Sequence, residues 1–374
     1  MTMSFCRFRG QSLVSTSSSD RKHYNAGKQL KKEYILDLRV GEVVEVRSTE
    51  EILGTLDQRG TLDELPFMPE MLRHCGHRFK VFKRIDKVND TVERTGLRRM
   101  KNAVIFEAVR CDGASHGGCQ ALCQIIWKEA WLKRIPDKKS KGSSQLESSS
   151  TTTQSQRFQI EKSVYTESDL VRATKRSDSN DEELFSCQAT EIKKASSYLA
   201  WWDIRQDTRD IWSGNVGTFE AIRAFVFWIF TLLLRVGCYR ALVTLYNRLQ
   251  RLRGAEPYPY RQGRLKNTPT CKLNLQPGEL IQIKSYDEIL ETLDTKGKNR
   301  GLSFDVEMVK YCGGIHRVLC RVQRIIELKT GRMSTLSTDC LILEGVTTRG
   351  DYHRFYPQNE YPFWREIWLK RIEQ

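Results

Sequence analysis

The sequence lacks the marks of the commoner catalytic classes. No Walker loop, dinucleotide fingerprint or nucleophile–base motif appears, so nothing in it argues for nucleotide-driven chemistry, hydride transfer or acyl transfer. The leading stretch MTMSFCRFRGQSLVSTSSSDRKHYN has no apolar run of signal-peptide length. Residues 1–34 therefore read as a disordered basic leader on a cytoplasmic chain. Acidic residues fall 15 short of Lys and Arg, so the expected partners include polyanions such as nucleic acid, acidic polysaccharide or anionic lipid.

Long apolar runs are also missing. The longest, Ala224 to Leu234, ends at Arg235 and is too short to span a bilayer. Extending it would place Arg235 near mid-membrane, at a cost of about 2.5–3.5 kcal/mol. Residues 195–265 carry arginine but no lysine. A helix lying on anionic lipid, one docked between modules, or a buried helix with arginines at its ends would each account for that bias. Peripheral attachment to the inner membrane through residues 219–246 is one expectation that follows.

The chain does contain a duplication. Aligned against itself at an offset of 237, residues 41–135 match 278–372 without a gap, with 30 identities in 95 positions. An ungapped register of that length predicts two copies of one fold. Both copies open with Gly-Glu and an alternating run, with Val44 and Val46, or Ile281 and Ile283, facing one way as in a half-buried strand. An acidic first helical turn follows, then LPFMPEMLRHCG or LSFDVEMVKYCG, two more apolar strands, and WKEAWLKRI or WREIWLKRI. Strands broken by short helices predict an α+β, mainly β class, with two tandem SH3-like barrels. The expected division is a first module at 35–136, a disordered linker at 137–180, a helical connecting region at 181–265, and a second module with a degenerate site at 270–374. The linker reading rests on the Ser/Thr/Gln/Lys-rich stretch KKSKGSSQLESSSTTTQSQRF.

Eleven cysteines, an odd number at irregular spacing in a reducing compartment, favour metal ligation or burial over disulfides. Four potential ligands fall within thirteen residues in Cys111-Asp-Gly-Ala-Ser-His116-Gly-Gly-Cys119-Gln-Ala-Leu-Cys123. Thiolates and imidazole suit zinc, and thiolates suit iron–sulfur clusters, while Gly113, Gly117 and Gly118 let a short loop wrap an ion. Cys75 and Cys187 are further possible ligands. The second copy has Thr348, His353, Tyr356 and Glu360 at the matching places, so the cysteines are not needed to build the fold. The competing reading is buried thiols filling a core. Cys75 keeps a counterpart in Cys312, which favours packing for both. The paired Trp127 and Trp131, Trp364 and Trp368, with Glu129 or Glu366 between them, read as core aromatics around a Glu bonded to backbone.

The string GLRRMKNAVIFEAVRCDGASHGGCQALCQIIWKEAWLKR, with LPFMPEMLRHCGHRFKVFKRIDK before it and SCQATEI and SGNVG after it, resembles a bacterial protein family. Its members tend to be encoded beside polysaccharide or secondary-metabolite biosynthesis genes. The resemblance covers most of residues 38–240 and implies an accessory role in such a pathway, with a protein partner in a biosynthetic complex. Members often carry a further Cys where this chain has Asn89, which implies a ligand set that here draws on fewer thiolates or on Cys187. The leading expectation is thus a metal-binding accessory protein, with zinc or an iron–sulfur cluster. The alternatives are a nucleic-acid-binding basic barrel using Arg98, Arg99 and Lys101, a metal-dependent enzyme and a peripheral membrane protein.

Overall fold

The computed structural model describes residues 35–93, 95–135, 165–177, 182–200, 202–235, 239–252, 262–350 and 357–372. It is a mixed structure of small antiparallel sheets and short helices. The leader 1–34, most of the expected linker, and His353 and Tyr356 lie outside the described residues.

Residues 237 apart take up the same local structure. In the N-terminal half the strand Val43–Val46 pairs antiparallel with Arg78–Lys80 on one side and Leu132–Arg134 on the other. In the C-terminal half Leu280–Ile283 pairs in the same way with Ile315–Ile326 and Leu369–Arg371. Val44, Val46, Ile281 and Ile283 are buried, as the alternation requires. The helices Thr49–Leu53 and Tyr286–Leu290 each begin with a capping box, Ser48 with Glu51 and Ser285 with Glu288. Such reciprocal bonding satisfies two otherwise orphaned backbone donors and sets where a five-residue helix starts.

The two cores are also built alike. Trp127, Trp131, Trp364 and Trp368 are fully buried. The indole N–H of Trp131 donates to Thr55 Oγ1 at 3.1 Å, and that of Trp368 to Thr292 Oγ1 at 2.9 Å. Glu129 accepts from the backbone N–H groups of Leu36, Asp37 and Leu38 and from Arg84 at 2.6 Å. Glu366 accepts from Leu273 and Leu275 and from Arg321, also at 2.6 Å. Each carboxylate ties the segment entering its half to the sheet.

The halves diverge beyond Arg84 and Arg321. Ile315–Ile326 runs on as one long strand against Met333–Leu343. In the N-terminal half only Lys83–Arg84 pairs with Ala103–Arg110. The chain between forms a separate sheet of Lys87–Asn89, Leu97–Arg99 and Ser197–Tyr198.

The expected linker ends earlier than residue 180. Glu167–Ala173 is a helix with a Thr166/Asp169 capping box, and its Leu170 is buried in the N-terminal core. Lys175–Ser177 then pairs with Glu183–Phe185. A Ser/Thr-rich composition conceals this helix, because its anchor is a single apolar residue and a cap.

The connecting region is docked as well as helical. Gln188 uses its side-chain amide as a strand would, accepting from Ile126 N–H at 2.8 Å and donating to Ile126 O and Pro66 O. The helix Arg205–Ser213 stops at Gly214, at φ 81°, and then Asn215 exchanges two 2.7 Å bonds with the backbone of Arg84. Lys87, buried, pairs with Asp207 and Asp210 of that helix. Two further helices, Thr218–Arg235 and Tyr239–Leu252, complete the region. Among the described residues no helix is long and apolar enough to cross a membrane.

Candidate metal centre

The Cys/His loop closes a hairpin. Ala103–Arg110 pairs with Gln124–Lys128, and at the neck Cys111 N–H donates to Cys123 O at 3.0 Å. That bond fixes the first and last cysteines side by side. Within the loop, Gly113 has φ 71°, and a Cβ there would sit 2.0 Å from the carbonyl oxygen of Cys119. Only glycine permits so tight a return. His116 N–H and Gly118 N–H both donate to Gly113 O. The loop is held from outside by an ion pair between Arg73 and Asp112 at 2.6 Å and by Thr174 Oγ1 donating to Ser115 O.

The donors that converge most tightly are Glu70, Cys111 and His116, whose ligand atoms all lie within 4.8 Å of one another. Cys111 Sγ is 3.3 Å from Glu70 Oε1 and 3.3 Å from His116 Nε2. The other imidazole nitrogen, Nδ1, is 3.1 Å from Ser115 Oγ and 3.7 Å from Glu70 Oε1. Ser115 Oγ in turn donates to Glu70 Oε2 at 2.5 Å. The 3.3 Å spacings are hydrogen-bond distances for sulfur, and they also lie close to the roughly 3.5 Å that tetrahedral zinc with its usual bond lengths sets between sulfur and nitrogen or oxygen.

The electrostatics favour the neutral forms of the Cys111 and His116 side chains. Burial, with the Glu70 carboxylate beside it, pushes the Cys111 thiol far above its ordinary value. Burial lowers the His116 pKa, against the pull of Glu70 and Asp112. A thiol so disfavoured as thiolate is the opposite of an activated nucleophile, although a Cys–His contact of this length is what nucleophilic catalysis uses. A bound cation reverses that balance, since a coordinating thiol deprotonates on the metal.

Cys119, Cys123 and Cys187 stand on the wall of the cavity that Cys111 and His116 also line. Its volume is about 260 Å³. Cys187 is brought there as the cap residue of Gln188–Glu191, the helix that Gln188 anchors. Burial raises the Cys123 thiol well above normal and the Cys187 thiol to about 11. These sulfurs do not join the tight Glu70–Cys111–His116 group, so the four sequence-read ligands share a cavity without meeting at one point. Cys75 is not among the cavity residues. It packs partly buried against the N-terminal core, as Cys312 does in the C-terminal half. Asn89 does line the cavity.

Glu70 escaped the sequence reading. It precedes Cys111 by 41 residues, on the short helix Pro69–His74, and its counterpart Glu307 survives in the copy without the cysteines. A glutamate kept in the copy without the cysteines gives no sequence signal of a metal ligand. Glu307 does play a structural part, accepting from the backbone N–H groups of Arg349 at 2.6 Å and Gly350 at 3.1 Å. The matching loop there keeps its neck, with Thr348 N–H donating to Glu360 O at 2.8 Å.

The arginines expected to face nucleic acid are engaged within the chain. Arg98 donates to Ser196 Oγ, Ser196 O and Lys193 O, and Arg99 pairs with Asp203 at 2.5 Å. Comparison of the chain with protein-family models, curated proteins and solved structures gives no match.

Proposed function

We propose that this chain is a metal-binding accessory protein of a bacterial biosynthetic pathway, built on two SH3-like modules, with the ion held in the N-terminal one. The observation that carries this reading is the convergence of Glu70, Cys111 and His116 at ligand-to-ligand distances, buried, with three further thiols on the same cavity wall. One carboxylate, one imidazole and thiolates within reach are a borderline-soft set that suits zinc. An iron–sulfur cluster would instead draw on the thiols of Cys111, Cys119, Cys123 and Cys187. Ser115, 3.1 Å from Nδ1 of His116, orients the ring so that Nε2, 3.3 Å from Cys111 Sγ, meets the ion. The accessory role rests on the family resemblance.

Metal analysis and a visible absorption spectrum on protein purified without air test this reading, in wild type and in Cys111→Ser and Cys119→Ser/Cys123→Ser variants. One zinc per chain in a colourless sample, lost in Cys111→Ser, is the expected result. Iron with absorption near 400 nm, lost with Cys119 and Cys123, replaces the ion by a cluster. Metal-free wild-type protein overturns the reading.

One observation favours peripheral membrane attachment as a second property. The helices Thr218–Arg235 and Tyr239–Leu252 leave Phe219, Ile222, Phe225, Val226, Leu245, Leu249 and Leu252 exposed, in a region that is rich in arginine and free of lysine. Apolar residues flanked by arginines suit an anionic lipid surface. Cosedimentation with phosphatidylglycerol vesicles, abolished by Phe225→Glu/Leu249→Glu, supports it. Equal partition with neutral and anionic vesicles, or none, counts against it.

A further inference from the structure

The C-terminal half looks, by sequence, like a copy that lost its site. Its position 360, the counterpart of Cys123, carries Glu in place of Cys. The packing of the halves gives that residue a different meaning. Gln120, in the Cys/His loop, donates from its N–H to Arg324 O at 3.0 Å, and its side-chain carbonyl accepts from Gln323 N–H at 2.7 Å and Arg324 N–H at 3.1 Å. In return Gln358 accepts from Asn89 N–H at 3.3 Å. Residues 324 and 326 are the counterparts of 87 and 89, so each half lays its hairpin loop against the matching strand of the other. This approximate two-fold arrangement brings positions 123 and 360 together.

The cavity is accordingly lined from both halves, by Cys119, Cys123 and Cys187 on one side and Gln358, Glu360 and Tyr361 on the other. Glu360 is half-buried and lines the cavity. No hydrogen-bond donor among the described residues reaches its carboxylate. Among the described residues the charge of Arg110 opposes the burial that raises its pKa, and the Arg110 guanidinium stacks on the Tyr361 ring 4.5 Å away and leaves Nε and Nη1 buried without hydrogen-bond partners among those residues. A half-buried carboxylate in the cavity that three thiols also line adds an oxygen donor to their set. Such a mixed set is a sensible one beside a cation. The cavity, at about 260 Å³, is also many times larger than the roughly 10–15 Å³ of probe volume that one water needs. The cavity therefore has room for an ion among the donors on its walls.

We infer that the C-terminal half completes the metal centre, with Glu360 as a ligand on the Cys123 side, so that a bound divalent ion joins the two halves of the chain. The inference rests on the metal-binding reading above. It differs from that reading in placing part of the ligand shell outside the Cys/His loop. A metal that ligates across an interface binds the docked arrangement better than the undocked one, and by linkage it stabilises docking.

Zinc affinity, measured by competition with a chromophoric chelator on the full chain, tests the assignment in wild type, Glu360→Gln, Glu360→Cys and Glu344→Gln. Glu344 is exposed on the same half and serves as control. The expected result is a loss of roughly tenfold or more in Glu360→Gln, with affinity kept in Glu360→Cys, which retains a donor, and in Glu344→Gln. Amide hydrogen exchange on the wild-type chain, with and without zinc, provides a readout independent of any variant. Zinc should slow exchange in 320–326 and 357–363 as well as in 111–123. Wild-type zinc binding with unchanged affinity in Glu360→Gln, or with protection confined to 111–123, overturns this inference and leaves the metal-binding reading standing. No zinc binding in wild type overturns both.

Discussion

The loop 111–123 and its counterpart 348–360 share a neck, and each faces a buried glutamate from the preceding short helix, yet the glutamates do different work. Among the described residues Glu307 accepts from the backbone N–H groups of its loop, at Arg349 and Gly350. Glu70 meets side chains, Cys111, Ser115 and His116. A carboxylate satisfied by two backbone donors holds a loop in place. A carboxylate facing a thiol and an imidazole belongs to a donor set that suits a cation, as the proposed function requires. The comparison teaches that one packing position can meet the main chain of its loop in one copy and loop side chains in the other, decided by what the loop presents to it.

The sharpest way to break the parallel is through the core carboxylates. Glu129→Ala removes the closer of two buried carboxylates from the Arg84 guanidinium, whose side chain is 0 % exposed and which keeps Asp86 at 2.9 Å, and frees three backbone donors. Breaking a buried pair in this way costs about 3–5 kcal/mol. Glu366→Ala leaves Arg321 at 20 % exposure, still paired with Asp339, so its cost should be clearly smaller. Urea unfolding of the two variants gives the ranking, and equal losses would refute it.

Next in size is the exchange of roles between Glu70 and Glu307. Glu307→Gln weakens two charge-assisted bonds and should lower stability by about 1–2 kcal/mol without changing zinc affinity. Glu70→Gln should do the reverse, weakening zinc binding about tenfold or more while leaving the metal-free melting temperature nearly unchanged. Calorimetry with and without zinc separates the two outcomes. Smaller still, Thr55→Val and Thr292→Val each remove the acceptor of a buried indole N–H, Trp131 or Trp368, at about 1 kcal/mol apiece. Near-equal losses would sharpen the equivalence of the cores.

The smallest effect is a pH dependence. Burial raises the pKa of Glu366, but the Leu275 N–H, Arg321 and the Leu273 N–H together hold it below the ordinary 4.5. A folded-state pKa below the unfolded one contributes stability above the unfolded value and loses it as pH falls through the folded value. Stability of the chain should therefore decline below about pH 4.5 in part through this group, and Glu366→Gln should flatten that decline in urea midpoints taken across pH 3–6.

Much of the fold was legible because its signals are local. Gly-Glu followed by alternating apolar residues marks the opening strands, Ser48 with Glu51 and Ser285 with Glu288 mark the helix starts, and the Trp-x-x-x-Trp pairs mark the cores. Cys111, His116, Cys119 and Cys123 were legible as a group because they sit on one loop. Leu170 and its helix were hidden in a polar stretch where one buried side chain outweighs composition. Gln188, an ordinary residue by type, bonds like a strand only because Ile126 and Pro66 flank it in space.

By itself, then, the sequence determined local conformation and the set of available donors. Caps, glycines and periodicity act within a few residues, through sterics and hydrogen bonds the chain meets at once. Only the tertiary structure decided which donors share a cavity. Glu70 arrives on a helix 41 residues before Cys111, Cys187 at the cap of a docked helix, and Glu360 from the other half of the chain. Their meeting depends on long-range packing, and residue type alone does not encode the distance between atoms so far apart in sequence.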